Sequence, residues 1–471
     1  MKDRKIIFDI SNLVNYLVIN NHYTGVERVI VMILNEFVKL KIKNLWICFL
    51  HPFGNKYLTF SLDNINFNDW INPTATKKFL KNLGVIGQNK LLKKYYEKPI
   101  KYYFHRTRFD IAALVNNHKI FEKNGISIAE WKKNRTRLKL NSYLKILVDI
   151  INPDDQLILL DTTWEQNYIE EYKKLKLKKV KIYTFVHDLI PILYPEVTFS
   201  GVTTAKYYNW LVQSVDYTTS YVTNSVNTKN DLEKFLSTFQ NIHVPIKAIP
   251  LVQKNVSIQR KQKIQKDKSV IKLPDALNKI INSNYLCRSV LSEPFVLHVG
   301  TIEIRKNIWR LALAWKKLLK EGFTNLPRLV IVGKDGWLND RFWDLMRGTG
   351  NMYGYITIIG NANDEELDLL YKKCLFVAMV STYEGWGLPV GEALSYGKTA
   401  VVADNSALPE VGMDLVEYCD ALSVDSIAQA IKKLVFDSEY RRSLELKIKQ
   451  VKLRDWADVA HDWAKFLNIQ P

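Results

Sequence analysis

Cysteine is scarce: four residues (Cys48, Cys287, Cys374 and Cys419) lie far apart in 471, with no Cys-x-x-Cys pair. A disulfide-stapled scaffold and a cysteine-ligated zinc site are excluded, and the pattern fits thiols in a reducing cytoplasm. Long apolar runs are missing too. The run around Tyr143–Ile151 is broken by Lys145 and Asp149, well short of the roughly 18 residues of a membrane-spanning helix. The start of the chain meets Asp9, Ser11 and Asn12 before any apolar region of signal-peptide length, so export is not expected. Gly-x-Gly-x-x-Gly and His-Glu-x-x-His are both absent, which argues against a dinucleotide oxidoreductase and a zinc protease. No fixed-period repeat and no long low-complexity run occur. Acidic residues are in deficit: 48 Asp and Glu face 67 Lys and Arg, a net charge of +19.

What is present suits globular cores. Hydrophobic residues make up 47% and charged residues 24%, ordinary soluble usage, and the length suits two domains of about 150 to 250 residues. Strand-like runs at Lys5–Asp9, Leu157–Leu160, Val180–Val186 and Tyr221–Ser225 alternate with helical patterns such as Val26–Leu40. A polar loop holding Thr24 and Gly25 precedes that helix, and Asn227 or Thr228 is the expected cap after Ser225. A second series has strands at Phe295–Val299, Arg328–Val332, Ile356–Ile359, Leu375–Val380 and Thr399–Val402, with helices at Asn307–Lys320, Asp364–Lys373 and Pro389–Ser395. Short apolar strands alternating with helices predict parallel sheets covered on both faces. The expected fold class is α/β, with two Rossmann-like, doubly wound domains facing across a cleft. The expected boundaries are 1–252 for the first domain, 253–293 for a polar connection, 294–455 for the second domain, and 456–471 for a C-terminal helix returning to the first.

The positive charge is concentrated. Residues from Lys77 to Lys145 hold 18 Lys and Arg against 4 Asp and Glu, a local excess of 14, interleaved with aromatic and aliphatic residues. That composition suits an anionic membrane surface; it also suits nucleic acid or a solvated lysine-rich surface. The expectation taken forward for this insertion, about 77–145, is an anionic membrane and no nucleic acid.

Two loops carry the chemistry. Ser381-Thr-Tyr-Glu384-Gly385-Trp386-Gly387-Leu388-Pro389 follows a buried strand and opens a helix, with Pro389 where a first turn tolerates it. Unpaired N–H groups from about Gly387 onward can take an anion or sugar hydroxyls. Glu392, read as lying in the first helical turn, is expected to share a pocket with Glu384; a plain acidic helix start is the structural alternative. In the second loop, Val299-Gly300-Thr301-Ile-Glu303-Ile-Arg305-Lys306-Asn307, two adjacent cations at a helix start suit a diphosphate. His187-Asp188 ends another strand; Asp188 either orients the imidazole or caps the next element. Trp164 either stacks on a sugar or packs.

These segments, with Leu408-Pro-Glu-Val411, Asp455-Trp456-x3-Ala460, Thr24-Gly25-Val-Glu-Arg28, Asp161-Thr-Thr-Trp164 and His187-Asp188-Leu-Ile-Pro191, resemble the retaining family 4 glycosyltransferases of GT-B fold, in particular members that build bacterial capsule and O-antigen polysaccharides. The resemblance spans most of the chain and is weakest at about 55–145 and 252–293. It implies that Glu392 holds the donor ribose, that Glu384 and His187 sit by the donor sugar, and that Arg305 and Lys306 bind the diphosphate, with Gly25 close to the phosphates. Gly300, Thr301, Gly385, Trp386, Gly387 and Leu388 complete the implied donor site. Many members carry Arg where this chain has Thr301, so the two cations are expected to count alike. The implied activity is transfer of a hexose, mannose first, from a nucleotide-diphosphate sugar to a lipid-linked saccharide, with retention, at the inner face of the cytoplasmic membrane. A UDP- or dTDP-sugar donor, or a non-catalytic nucleotide-sugar-binding scaffold, is the alternative. Asp-x-Asp, the metal-diphosphate signature of the other main glycosyltransferase fold, is absent, so neither a metal nor a cofactor is expected.

Overall fold

A computed structural model describes residues 4–50, 56–65, 67, 69–85, 92, 95, 99–134, 142–161, 164, 169–198, 200–239, 243–254 and 285–469. Residues 255–284 of the expected connection, several stretches of the basic segment (86–91, 93–94, 96–98 and 135–141), and Thr162 and Thr163 lie outside the described residues. By its contacts the chain divides into two units. The first is Met1–Phe185 with Asn209–Tyr221 and Leu467–Pro471; the second is Val186–Tyr208 with Val222–Phe466.

The first sheet comprises β1 (Ile6–Asp9), β2 (Leu45–Leu50), β3 (Tyr57–Ser61), β4 (Lys145–Ile146), β5 (Gln156–Leu159), β6 (Lys181–Val186), β7 (Ser220–Thr223) and β8 (Ile246–Ala248), ordered β4-β3-β2-β1-β5-β6-β7-β8. β1 runs parallel to β5, and β5 to β6, as the apolar runs predicted; β1 is also parallel to β2, a strand that was not expected. β3 and β4 are antiparallel additions. Too few residues separate β2 from β3 for a crossover, so the chain turns back on itself. Where a loop was expected before Thr24, Ser11–Ile19 is a helix. Leu13, Val14 and Leu17 are buried on it, and Asp161 Oδ2 accepts from Leu13 N–H at 2.8 Å. Thr24 then caps the helix Gly25–Lys39 in a reciprocal capping box with Glu27.

The second sheet is β11-β10-β9-β12-β13-β14, built from β9 (Phe295–Val299), β10 (Arg328–Val332), β11 (Ile356–Ile359), β12 (Val377–Met379), β13 (Ala400–Ala403) and β14 (Glu417–Cys419). All its neighbouring strands pair in parallel. Helices cover it with apolar stripes at 3.6-residue spacing. Ile308–Lys320 buries Ile308, Leu311, Trp315 and Leu318, and Val424–Phe436 buries Ile427, Ile431 and Leu434. Trp315 fills the core while its indole N–H donates to Pro327 O at 3.0 Å.

The helix Val226–Leu236 is capped by Ser225, whose Oγ accepts from Thr228 N–H at 3.0 Å, and not by Asn227 or Thr228. Helix Trp456–Phe466 belongs to the second unit, and the chain end returns to the first, where Gln156 and Arg4 side chains donate to Leu467 O at 3.0 and 2.9 Å.

Candidate functional site

β9 and β12 are neighbours in the second sheet, and the strand order reverses between them. That is the topological switch point, where loops at the carboxyl ends of two strands open side by side. The two motif loops follow these two strands.

After β9, Gly300 N–H donates to Val332 O at 2.9 Å and the chain makes a 3-10 turn at Ile304–Lys306. Asn307 takes a left-handed conformation (φ 58°) and the helix starts at Ile308, so Arg305 and Lys306 stand in the turn before the helix rather than in its first turn. An L-residue pays least for that conformation when it is Asn. Asn307 Nδ2 donates to Val380 O at 2.9 Å and Ala421 O at 2.6 Å, tying the loop after β9 to the end of β12.

Glu384 is the centre of the site. Lys306 Nζ lies 2.6 Å from its Oε1 and Arg305 Nη1 lies 2.8 Å from its Oε2. Arg305 Nη2 also reaches Glu303 Oε1 at 2.6 Å, and Arg305 Nη1 donates to Tyr383 O at 2.9 Å. Ser406 Oγ accepts from Glu384 N–H at 3.0 Å. Burial pushes the Glu384 carboxyl up, but Arg305 and then Lys306 outweigh it and hold it down at about 2. Burial raises Glu303 and is opposed first by Arg305. For Arg305 burial works against the charge, yet Glu384, Glu303 and Asp188 together hold its proton more tightly than usual.

His187 and Asp188, just past β6, belong to the same unit as these loops. A Cβ placed on Gly385 would meet His187 O at 2.4 Å and the Asp188 Cβ at 3.0 Å, so only glycine allows the two segments to lie this close. Asp188 Oδ1 accepts from Ile190 N–H at 3.0 Å and turns the chain into the helix Ile190–Leu193, the capping role expected of it. Burial raises its carboxyl, and Arg305 is the largest opposing influence.

Gly387 (φ 106°) precedes the helix Leu388–Ser395 and no side chain caps it. The first-turn N–H groups and the dipole are therefore suited to an anion. Glu392 is the fifth residue of this helix, not in its first turn as expected. Its Oε2 accepts from Tyr371 O–H at 2.6 Å, and Tyr371 stacks on Tyr396 at 5.2 Å. Glu384 and Glu392 are thus held by different partners: two cations for one, a tyrosine for the other. Trp386 is buried, and its indole N–H donates to Val252 O at 2.9 Å, so the side chain anchors the loop from behind. Thr301 and Leu388 are half-buried. Gly25 is the first residue of its helix in the first unit, and Trp164 is half-buried.

Sequence reasoning gave no role to Glu303, Asn307 or His298. The first two sit inside the quoted Thr-Ile-Glu-x-Arg-Lys-Asn segment; His298 has no such signal, being one polar residue in an apolar strand. Its Nδ1 faces Ala378 O at 2.9 Å and its Nε2 is buried without a partner. Among the described residues, no group of three or more His, Cys, Asp or Glu is placed to hold a metal ion.

Two parallel-sheet units, with cations and an uncapped helix start at the switch point of the second, define an α/β protein of GT-B fold. Residues 288–451 match the family described as glycosyl transferases group 1. O-antigen chain mannosyltransferase B of Escherichia coli is 34% identical over 163 residues, 34% of this chain and 42% of that one. Serotype-specific mannosyltransferase WbdA of Escherichia coli is 23% identical over 322 residues, 68% of this chain and 38% of that one. The chain thus spans less than half the length of these curated relatives. Among solved structures, Anabaena HepE, crystallised in complex with UDP and glucose, is similar in fold: TM-score 0.54, 14% identity, 99% of each chain covered.

Proposed function

We propose that the protein is a glycosyltransferase that moves a hexose, mannose first, from a nucleotide-diphosphate sugar to a lipid-linked oligosaccharide in cell-surface polysaccharide synthesis, with retention and without a metal. The observation that carries this reading is the Arg305–Glu384–Lys306 cluster beside the uncapped start of the Leu388 helix, within the residues that match the group 1 family. The similarity to Escherichia coli O-antigen and serotype-specific mannosyltransferases supports mannose and an O-antigen type of product.

In this mechanism the bond from the sugar C1 to the diphosphate oxygen breaks, and an acceptor hydroxyl oxygen bonds to C1 on the same face. Its proton passes to the departing phosphate oxygen, so no protein nucleophile is required. Charge growing on that oxygen meets the Lys306 ammonium and the N–H groups at the Leu388 helix start, fixed donors in a partly dry site. Glu384 and His187 stand by the sugar and Glu392 holds the ribose. The basic segment at 77–145 supports peripheral attachment to an anionic inner membrane face, where the acceptor lipid lies.

A donor screen tests the proposal. Purified protein is offered GDP-, UDP- and dTDP-sugars with and without a lipid-linked acceptor, with and without EDTA, and nucleoside diphosphate release is followed. The expected outcome is GDP release from GDP-mannose that needs the acceptor and is indifferent to EDTA. Release from a UDP- or dTDP-sugar alone overturns the mannose reading. Loss in EDTA restored by Mg²⁺ overturns the metal-free mechanism, and no release from any donor with a suitable acceptor leaves the scaffold in its place.

A further inference from the structure

The helix Pro99–Leu114, inside the basic segment, is apolar on two opposite faces. One face is core: Tyr102, Ala112 and Ala113 are buried against Phe121, Ile128 and Trp131. The other is bare. Ile100 is 88% exposed, Tyr103 51%, Phe104 68%, Ile111 56% and Leu114 77%. With 3.6 residues per turn these five fall within about 120° of the helix circumference, a stripe running most of its length of about 24 Å, interrupted by Thr107, whose hydroxyl turns back to donate to Tyr103 O at 2.9 Å. A surface helix ordinarily turns charged residues outward there, and a contiguous apolar patch marks an interaction site.

The charges beside the stripe identify what covers it. Lys101 and Arg108, both exposed, project along one flank. Asp110, the helix's single acid, is held at the opposite flank by Arg106 (3.6 Å) and by the indole N–H of Trp131 (2.9 Å). Large aliphatic and aromatic side chains rimmed by cations, with the one carboxylate internally paired, complement an anionic lipid interface: apolar groups enter the acyl boundary and cations meet headgroup phosphates.

We infer that the helix Pro99–Leu114 lies in the plane of an anionic membrane and inserts the Ile100–Phe104–Ile111–Leu114 stripe into it. This deepens the proposed peripheral attachment and rests on that reading. It differs from attachment by charge alone in requiring insertion.

Flotation of the full chain with vesicles of neutral phosphatidylcholine, or of the same lipid with anionic phosphatidylglycerol, tests it with no donor or acceptor present. Failure of binding is thereby separate from failure of turnover, which is measured on a water-soluble acceptor. The Phe104→Ser/Ile111→Ser double variant alters only exposed side chains, so its thermal midpoint should match the parent. It should bind anionic vesicles at least 10-fold more weakly, and Lys101→Glu/Arg108→Glu should remove the preference for anionic lipid. The four native cysteines are buried, so an environment-sensitive dye on Phe104→Cys reports insertion as a blue shift. Unchanged binding by the double serine variant, or no dye shift on vesicles the protein binds, overturns the inference. So does a concentration-dependent dimer that the double serine variant abolishes, since a second copy would then be the occupant.

Discussion

Arg305 and Lys306 are adjacent and equal in charge, yet their surroundings give them different work. The Arg305 guanidinium is committed to Glu303, Glu384 and Tyr383 O, whereas Lys306 is a three-donor ammonium with one hydrogen bond on Glu384. Arg305→Ala should therefore act mainly on stability, since buried Glu303 loses its cation and Glu384 loses one of its two, a loss of about 3 to 5 kcal/mol. Lys306→Ala leaves Glu384 paired to Arg305; it should melt near the parent and lower kcat by about 10² to 10³. Thermal melts beside kcat values separate the two, and an Arg305→Ala variant that melts like the parent contradicts the division. His298 offers a pH readout. Burial lowers its pKa from 6.5 to about 4, so between those values the unfolded chain binds a proton that the folded one refuses. Its contribution is whole above pH 6.5 and declines as pH falls toward 4, by up to about 1.4 kcal/mol per pH unit. His298→Leu should flatten the fall of the thermal midpoint between pH 7 and 5; an unchanged slope rules the residue out. Glu384, Arg305 and Lys306 were legible because they sit in dense motifs with glycines and helix starts around them. That the two loops open at neighbouring strand ends was legible as well; the direct ion pairs between their cations and Glu384 were not, since spacing along the chain does not say which side chains meet.

Elements of the second sheet read well for a physical reason. Parallel strands buried on both faces appear as continuous apolar runs, and β9, β10 and β11 begin and end where those runs do. β2, β3 and β4 were not expected: the two antiparallel additions carry polar residues such as Thr59, Ser61 and Lys145, and β3 follows β2 with no crossover helix between them. The helix Pro99–Leu114 hid for the opposite reason: apolar residues on two faces cancel the periodicity that would announce it, leaving only its charge to be noticed. Glu392 was set in the first turn because the helix was expected from Pro389; it begins one residue earlier, at Leu388, after an uncapped glycine and without a polar cap to mark its start. Between elements, the loop after β12 depends on Gly385. Gly385→Ala would drive a methyl into His187 O, so the backbone of one segment must move, and kcat/KM should fall about 10²-fold or more if a displacement near 1 Å is as costly as usual. Gly201→Ala, where an added Cβ meets nothing within 4 Å, serves as the control and should be silent.

At the scale of the whole molecule the surplus of positive charge is unevenly held, and no helix among the described residues is long and apolar enough to cross a membrane. The inferred attachment by one amphipathic element would leave the protein able to come and go, with affinity set by lipid charge and ionic strength. The same stripe governs behaviour away from lipid. In dilute buffer the net charge of +19 keeps molecules apart; at about 1 M salt the screening length shrinks to roughly 3 Å and that repulsion fades, while attraction between bare apolar faces persists. Salt that strips the protein from a membrane would thus also drive copies together, so its colloidal solubility should be poorest in the buffers best suited to extracting it.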